Sequence, residues 1–491
     1  MDEYRSDVLV IGSGGAGLRA ATAAKEEGCS VVVLSKCSPG LATCTAISNG
    51  AFGSSGFGLS EEEYYNTTME VGYHLNNPSL VRVLSEEAPL RVRELEQKGV
   101  RFKESHTGVV VLRRPPDSGR EAVDALLNWG RTCGVHFINW VTVARLTTEN
   151  GRVTGCVAIG KDGDILTIHA RAVIICTGGS SAIYKFHDNP STMLGDGYAL
   201  AHQAGALLRD MEFIQFYPLI AIEPHAPKTL IQPFLGDLGQ IINDKGEDLL
   251  EKYGLTNAKP VAIKARDRLS RAMFKEYLQG SNVYLDLRAL PEDKWNNPFA
   301  HNVRETFVRY FRADTKPVRM LPVAHFTIGG CVIDDSGNTS AEGLFAAGES
   351  ACGLHGANRM GGNALSETLV FGYRAGVSAA RYAKEARQTG PGKAAKRFSP
   401  TPFTRGKWKP AEALAALREI MWNDCGPVRS HDGLAQALGK IDRLTVEGVR
   451  CVEARELSMA VAVTNCLSTA HAIAEGALAR KESVGAHYRE D

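Results

Sequence analysis

The chain has 491 residues, enough for two or three domains around a large shared core. Its 56 Lys+Arg against 55 Asp+Glu leave a formal net charge of +1, which excludes a global field that would hold it on nucleic acid or an anionic membrane. The eleven cysteines are scattered without a CxxC pair, which argues against zinc, iron–sulfur or disulfide frameworks and for reduced, mostly buried thiols; no metal is expected.

The chain opens without a basic segment leading into a long apolar stretch and cleavage site, and no run reaches the roughly 18–20 uncharged apolar residues that span a bilayer. The expected location is cytoplasmic, with no direct membrane insertion. Asp7 to Ile11 (DVLVI) reads as a strand, GSGGAG follows, LRAATAAKEEG has helical composition, and Ser30 to Leu34 (SVVVL) is a second strand. Together they make a βαβ unit. From Gly40 to Gly58 the side chains are too small to build a core, and the stretch reads as a ligand-facing loop. Glu61 to Lys98 has helical periodicity. Residues 137 to 176 alternate as strands, and the buried run Ala172 to Cys176 stops at a Gly pair, so Thr177 and Gly178 mark a second strand-to-loop crossing at the ligand.

From about residue 220 to 319 prolines are frequent, charge is dense and strand signals are short, which predicts an inserted domain. Val332 to Asp335 and Gly343 to Ala347 read as strands, and a helix is expected from about Leu365 to Glu385. Gly390 to Pro410 reads as a linker and the remainder, to about Lys481, as helices.

Gly12, Gly14 and Gly17 match GxGxxG between a strand and a helix, the context that gives the motif meaning. Gly12 permits the tight turn, Gly14 lets the backbone approach a pyrophosphate, and Gly17 lets the helix pack on the strand, with Gly15 and Ala16 completing the turn. The helix N-terminus supplies N–H groups and partial positive charge to phosphates. The acidic residue that holds an NAD ribose is absent after the second strand, where Ser35 and Lys36 stand. A serine still hydrogen-bonds a ribose and a lysine approaches phosphate, which leaves FAD open, while a solvated strand end is the plainer alternative.

His325 in LPVAHFTIGG and Arg359 in LHGANRMGGNAL both suit a carboxylate, by a single hydrogen bond and a bidentate fork respectively. Arg266, in KARDRLSRAM, is a third candidate. Taken singly, Arg266 and Asp267 also read as a surface charge cluster and His325 as a satisfied core histidine.

These pieces, in this order, resemble the fumarate reductase and succinate dehydrogenase flavoprotein family, which includes L-aspartate oxidase: DVLVIGSGGAG, VVVLSK, CTGGSSAIYKF, GDGYALAHQAG, ARDRLSRAM, HFTIGGCVIDDSGNT, GLFAAGES, LHGANRMGGNALSETLVFG and RKESVGAHYRED. The resemblance covers nearly the whole chain. It implies an α/β fold: a Rossmann-like FAD-binding domain with an inserted α+β capping domain and a C-terminal helical domain. The boundaries are 1–219 and 320–389 for the FAD-binding domain, 220–319 for the cap, 390–410 for the linker and 411–491 for the helical domain. Arg266 resembles the family's catalytic Arg, which passes a proton while the flavin exchanges a hydride, and His325 and Arg359 match the residues that clamp a substrate carboxylate. Asp196 in GDG, Glu349 in GES, and Asn363, Ala364 and Leu365 resemble residues around the cofactor.

Three departures qualify the match. Thr43 stands where relatives that bind FAD covalently carry His, which implies non-covalent FAD. Tyr217 replaces a substrate-contacting His in the motif that reads QFYP here. The family's TExxRGEG becomes LIQPFLGDLGQII, with Gln232, Pro233 and Gly236 in place of the Thr–Glu dyad and the following Arg. The substrate is therefore expected to keep one carboxylate, on His325 and Arg359, and to present a different group to the neutral pair Tyr217 and Gln232. The expected activity is reduction or formation of a C=C bond next to a carboxylate; the alternatives are an amino-acid oxidase like L-aspartate oxidase and an electron-transferring flavoprotein within a larger complex. The implied partners are a small carboxylate substrate and an iron–sulfur or other electron-transfer subunit, which would give a peripheral attachment to the membrane.

Overall fold

Aliphatic runs without polar alternation suit strands buried on both faces, and in the computed structural model three such runs lie side by side. The structure describes residues 2–104, 108–112, 118–226, 228–295, 303–386 and 399–491. Asp2–Ile11 pairs in parallel with Val31–Ser35 on one side and Ile165–Ile175 on the other. Leu344–Ala346 runs parallel to the end of Ile165–Ile175, and His136–Asn139 lies beyond Val31–Ser35. Val141–Glu149 and Arg152–Gly160 add an antiparallel edge to complete a seven-stranded sheet. Helix Gly15–Glu26 packs closely on helix Asn363–Glu385, where a Cβ on Gly376 would sit 2.3 Å from the Ala20 carbonyl oxygen.

The register brings Ile11, Ile175 and Ala346 to one level, so the loops GSGGAG, TGGSS and AGES leave the sheet together. Carboxyl ends of parallel strands are where open α/β sheets bind ligands. Two glycines make the first turn possible. Gly12 has φ +114° and a Cβ there would lie 2.1 Å from the Cys176 carbonyl oxygen, while one on Gly17 would lie 2.0 Å from that of Gly12.

A second, five-stranded antiparallel sheet runs in the order Thr229–Leu230, Ile214–Ala221, Val318–Thr327, Val283–Asp286, Gln240–Asn243. Its two longest strands cross residues 219/220 and 319/320, so the inserted segment is continuous with ladders that reach back into the main body. Helix Arg266–Leu278 lies against Ile214–Ala221.

Helices Pro410–Asp424, His431–Glu447 and Leu457–Ala479 form the C-terminal bundle. Among the described residues one helical stretch, Ala454–Ala479, is long and apolar enough to cross a membrane; it is a core helix here, packed on both other helices of the bundle and on Val141–Glu149. The tail then returns to the glycine loop before Asn363, where the Ala486 N–H donates to the Ala357 carbonyl at 2.9 Å.

Two local expectations change, and one region had none. The small-residue stretch 40–58 holds a short helix, Cys44–Ile47, and a strand, Ala51–Gly53. The strand expected over Val332 to Asp335 is Gly330–Val332 instead, because the Asp334 carboxylate accepts from the Ser336 and Asn338 N–H groups, each at 2.9 Å, and folds the chain into a turn. Strands Phe102–Glu104 and Val109–Leu112 and helix Ser118–Cys133 fill a region without a sequence expectation. Of the expected linker, residues 390–398 lie outside the described residues.

Gly17→Ala should put a methyl group into the Gly12 carbonyl, cost about 1–3 kcal/mol and leave purified protein without bound flavin. Thermal melts and the visible spectrum check this; a fully flavin-loaded variant with an unchanged melting temperature contradicts the packing role given to Gly17.

Candidate active site

At the sheet's ligand end, helix Gly15–Glu26 starts from Gly14 with no side-chain cap. The Gly15 N–H reaches Thr45 Oγ1 at 3.1 Å. Ala16 and Gly17 follow in the first turn, whose remaining N–H donors suit an anion. Ser35 Oγ lies 2.8 Å from Ser13 Oγ, tying the second strand's end to the fingerprint. Lys36 Nζ pairs with Asp196 at 2.7 Å, so two residues expected separately near the cofactor meet and neutralise each other. Thr177 Oγ1 lies 3.2 Å from Ser350 Oγ, and Gly178 takes φ +78°. Thr43 Oγ1 accepts from the Ala46 N–H at 3.2 Å and is committed to capping its short helix.

A second helix N-terminus faces the same region. Gly362, at φ +89°, precedes Asn363, Ala364 and Leu365 without a side-chain cap. The Asn363 amide is occupied by the Tyr64 hydroxyl at 2.7 Å and Thr68 Oγ1 at 3.2 Å, so it braces the loop. Glu349 Oε1 accepts from the Thr327 N–H at 2.9 Å. Burial pushes this carboxyl up to about 8, so at neutral pH it carries a proton. Two uncapped helix N-termini and a buried neutral acid fit the phosphates, hydroxyls and ring oxygens of FAD, and a Cβ on Gly12 or Gly17 would close the turn between them.

The other side is built by the antiparallel ladder. Gln215 pairs with Phe326 and Phe216 with Ala324, which leaves His325 as the extra residue of a β-bulge. A bulge re-aims the side chain it carries, and here it turns His325 toward Tyr217, ring centroids 5.5 Å apart. His325 Nδ1 lies 2.7 Å from Asp188 Oδ2. The Tyr217 hydroxyl donates to the Ile231 carbonyl at 2.9 Å, which leaves its ring rather than its phenol facing His325. Gln232, the next residue, stands at the N-cap position of helix Pro233–Leu238 without a side-chain capping hydrogen bond.

Arg266 is the first residue of helix Arg266–Leu278 and sits 5.3 Å over the Tyr217 ring. Its Nη1 donates to Gln215 Oε1 at 3.1 Å, and Gln215 Nε2 donates to the Arg359 carbonyl at 3.0 Å. Arg359 is buried over the Phe326 ring, and its Nε has no hydrogen-bond partner. Burial, reinforced by the charge of Arg266, pushes Arg359 down to about 9; burial also lowers Arg266. Both stay charged at neutral pH, and among the described residues neither forms an ion pair. His355 and Glu367, buried and 2.9 Å apart, brace the loop that carries Arg359.

The structure thus gathers Arg266, His325, Arg359 and Tyr217, with Gln232 one residue along from the Tyr217 anchor. Sequence reasoning missed Gln215, the bridge between the two arginines, and Asp188, the partner of His325. The carboxylate in KFHDNP was visible, but nothing local links it to a histidine 137 residues away.

These features define an FAD-dependent oxidoreductase. Residues 7–365 match the FAD binding domain family and residues 414–491 the fumarate reductase flavoprotein C-terminal family. The chain belongs to the fumarate reductase/succinate dehydrogenase flavoprotein family, whose members act on CH–CH or CH–NH2 groups. It is 32% identical to a subunit of the CoM/CoB fumarate reductase of Methanothermobacter marburgensis, over 99% of this chain and 94% of that one. It is 31% identical to the L-aspartate oxidase of Saccharolobus solfataricus, over 99% and 96% respectively. FrdA of the Escherichia coli quinol fumarate reductase superposes with a TM-score of 0.89 at 27% identity, covering 100% of this chain and 92% of that one.

Glu349 links pH to stability. Between the ordinary value of 4.5 and about 8, the folded flavin-free protein holds a proton that the unfolded chain has lost, so the residue's contribution falls as pH rises and stays low above 8. Glu349→Gln should therefore raise the melting temperature of flavin-free protein at about pH 9 more than at about pH 5. Equal shifts at both pH values contradict a buried neutral acid.

Proposed function

We propose that the chain reduces, or forms, a carbon–carbon double bond beside a single carboxylate, with FAD held non-covalently. The observation that carries this reading is the half-buried Arg266 and the buried Arg359, linked by Gln215 from the Arg266 guanidinium to the Arg359 carbonyl, with neither arginine in an ion pair among the described residues. Like charges in a low-dielectric site are costly alone and bind a carboxylate strongly, by charge-assisted and bidentate hydrogen bonds. His325 adds a third donor to this end. The other end is neutral: the Tyr217 hydroxyl is engaged, Gln232 is an amide, and Pro233 and Gly236 bring no side-chain donor. That contrast supports a substrate with one carboxylate and an uncharged remainder.

When bound, the flavin supplies or accepts the hydride. Arg266, His325 and Arg359 act as the catalytic set, holding the carboxylate, moving a proton and stabilising the negative charge that develops beside it. The segment 220–319 acts as a cap, bringing Arg266 and Gln232 to the residues of the main body and excluding water. The commitment of Thr43 to its helix cap supports dissociable flavin. Relatives named as subunits support an electron-transfer partner, iron–sulfur or other, and through it a peripheral place at a membrane.

The reading is tested by mixing flavin-reduced enzyme with unsaturated acids. Mono-carboxylate enoates should be reduced at ordinary enzymatic rates, of order 1–10³ per second, and fumarate far more slowly. Preference for fumarate contradicts the one-carboxylate site, and hydrogen peroxide formation with amino acids would instead make the chain an amine oxidase. Arg266→Ala should keep FAD and lose at least about 100-fold in turnover. Acid denaturation should release all flavin from the polypeptide; flavin left attached contradicts non-covalent binding.

A further inference from the structure

His325 is held on both sides by one loop. The Ala324 N–H donates to the Phe186 carbonyl at 2.9 Å and the Asp188 N–H to the Ala324 carbonyl at 3.3 Å, while Asn189 Nδ2 donates to the His325 carbonyl at 2.8 Å. This stitching sets Asp188 Oδ2 against His325 Nδ1 at 2.7 Å, and Asn189 Nδ2 takes Oδ1 at 2.9 Å. Burial alone would raise the Asp188 carboxyl, but the charge and hydrogen bond of His325 and the Asn189 amide hold it below the usual carboxylate value. An ionised carboxylate only accepts, so Nδ1 carries a proton. Among the described residues Nε2 has no hydrogen-bond partner, so the ring's other nitrogen is free for a ligand.

We propose that Asp188 is a positioning residue that makes His325 the proton-transfer group of the reaction, acid in reduction and base in the reverse direction. Arg266 and Arg359 then act as fixed cations. This rests on the reading of the site as a carboxylate-binding redox centre. In reduction one alkene carbon takes the hydride and its neighbour takes the proton from Nε2: an N–H bond breaks, a C–H bond forms, and imidazolium becomes neutral imidazole still bonded to Asp188. Solvent returns the proton. In oxidation Nε2 removes the proton and the hydride leaves for the flavin. Gln232, Pro233 and Gly236 provide no carboxylate or guanidinium to reload Arg266, whereas the dyad needs none.

Every charged or titratable neighbour of the pair is consistent with this division. His187, on the same loop, is pushed down to about 4 by burial and by Arg418 and Lys228, and stays neutral. Cys44, whose Sγ lies 3.2 Å from Asn189 Oδ1, is held as a thiol by burial. Burial keeps the Tyr217 phenol protonated, and Glu349 is neutral at pH 7. Asp267 is paired with Arg271 at 2.7 Å. Arg266 and Arg359 remain as permanent cations that favour proton release from His325 to substrate, and Asp188 is the group that offsets them.

The test compares Asp188→Asn, Asp188→Glu, His325→Gln and the Asp188→Asn/His325→Gln double variant as FAD-loaded proteins, with melting temperature and visible spectrum as controls. Asp188→Asn should lower kcat by about 10²–10⁴-fold at neutral pH with little change in KM, and should displace the pH profile of kcat. Asp188→Glu should recover part of the loss, and the double variant should lose no more than His325→Gln, since the two act as one unit. Asp188→Asn within about threefold of the parent kcat with the same pH profile, or additive losses, overturns the proposal. A separate readout needs no turnover: binding of the saturated mono-carboxylate butyrate, followed by the flavin spectrum across pH, should have its apparent pKa lowered by about one unit in Asp188→Asn. If the parent enzyme turns over no acid in the panel, the proposed activity fails, and the butyrate titration alone decides for the dyad if the pKa moves and against it if not.

Discussion

Two guanidinium groups do not approach each other in a protein interior unless their backbones are held there. One amide does this: Gln215 accepts from Arg266 with one end and donates to the Arg359 main chain with the other. Arg266 also occupies the first position of its helix, the positive end of the dipole, where a cation adds to the local potential. The Arg359 loop is fixed from behind by the C-terminal tail, in which a Cβ on Gly485 (φ +54°) would lie 2.3 Å from the Ala357 carbonyl oxygen. On the proposed reading, this concentrates positive charge at one end of the substrate site and leaves the Tyr217–Gln232 end uncharged.

That arrangement depends on how the two sheets share the work. The parallel sheet brings three glycine-rich loops to one level, where small residues and uncapped helix ends suit phosphate and ring oxygens. The antiparallel ladder carries Gln215, Tyr217 and His325 on strands that continue into the inserted segment, which contributes Arg266 and Gln232. Arg359 and Glu349 belong to the loops of the parallel sheet. Neither half alone carries all of these residues, and on the proposed reading a movement of the insertion acts directly on the groups that would hold substrate.

Much of this was legible because it is local. A strand, GxGxxG and a helix can be read within one window, and so can His325 and Arg359 beside glycine pairs. The ordered run of motifs then implied the fold and the cofactor. Long-range geometry was not legible. The bulge that re-aims His325 depends on register with a strand more than a hundred residues away, and the pairing of Lys36 with Asp196, each expected at the cofactor, is visible in neither local sequence. Tyr217 was expected to contact substrate, and the sequence did not show that the Ile231 carbonyl takes its hydroxyl. At Asp334 a side chain competing for backbone N–H groups ended a strand that its aliphatic neighbours suggested.

The central claim is that Arg266 and Arg359 create a site for one carboxylate facing a neutral pocket. A structure of the FAD-loaded protein with an unsaturated mono-carboxylic acid bound tests it most directly. The account predicts the carboxylate on Arg359 and His325, close to Arg266, with the uncharged end toward the Tyr217 ring and Gln232. A carboxylate seated at Gln232, or an acid bound away from both arginines, would contradict it.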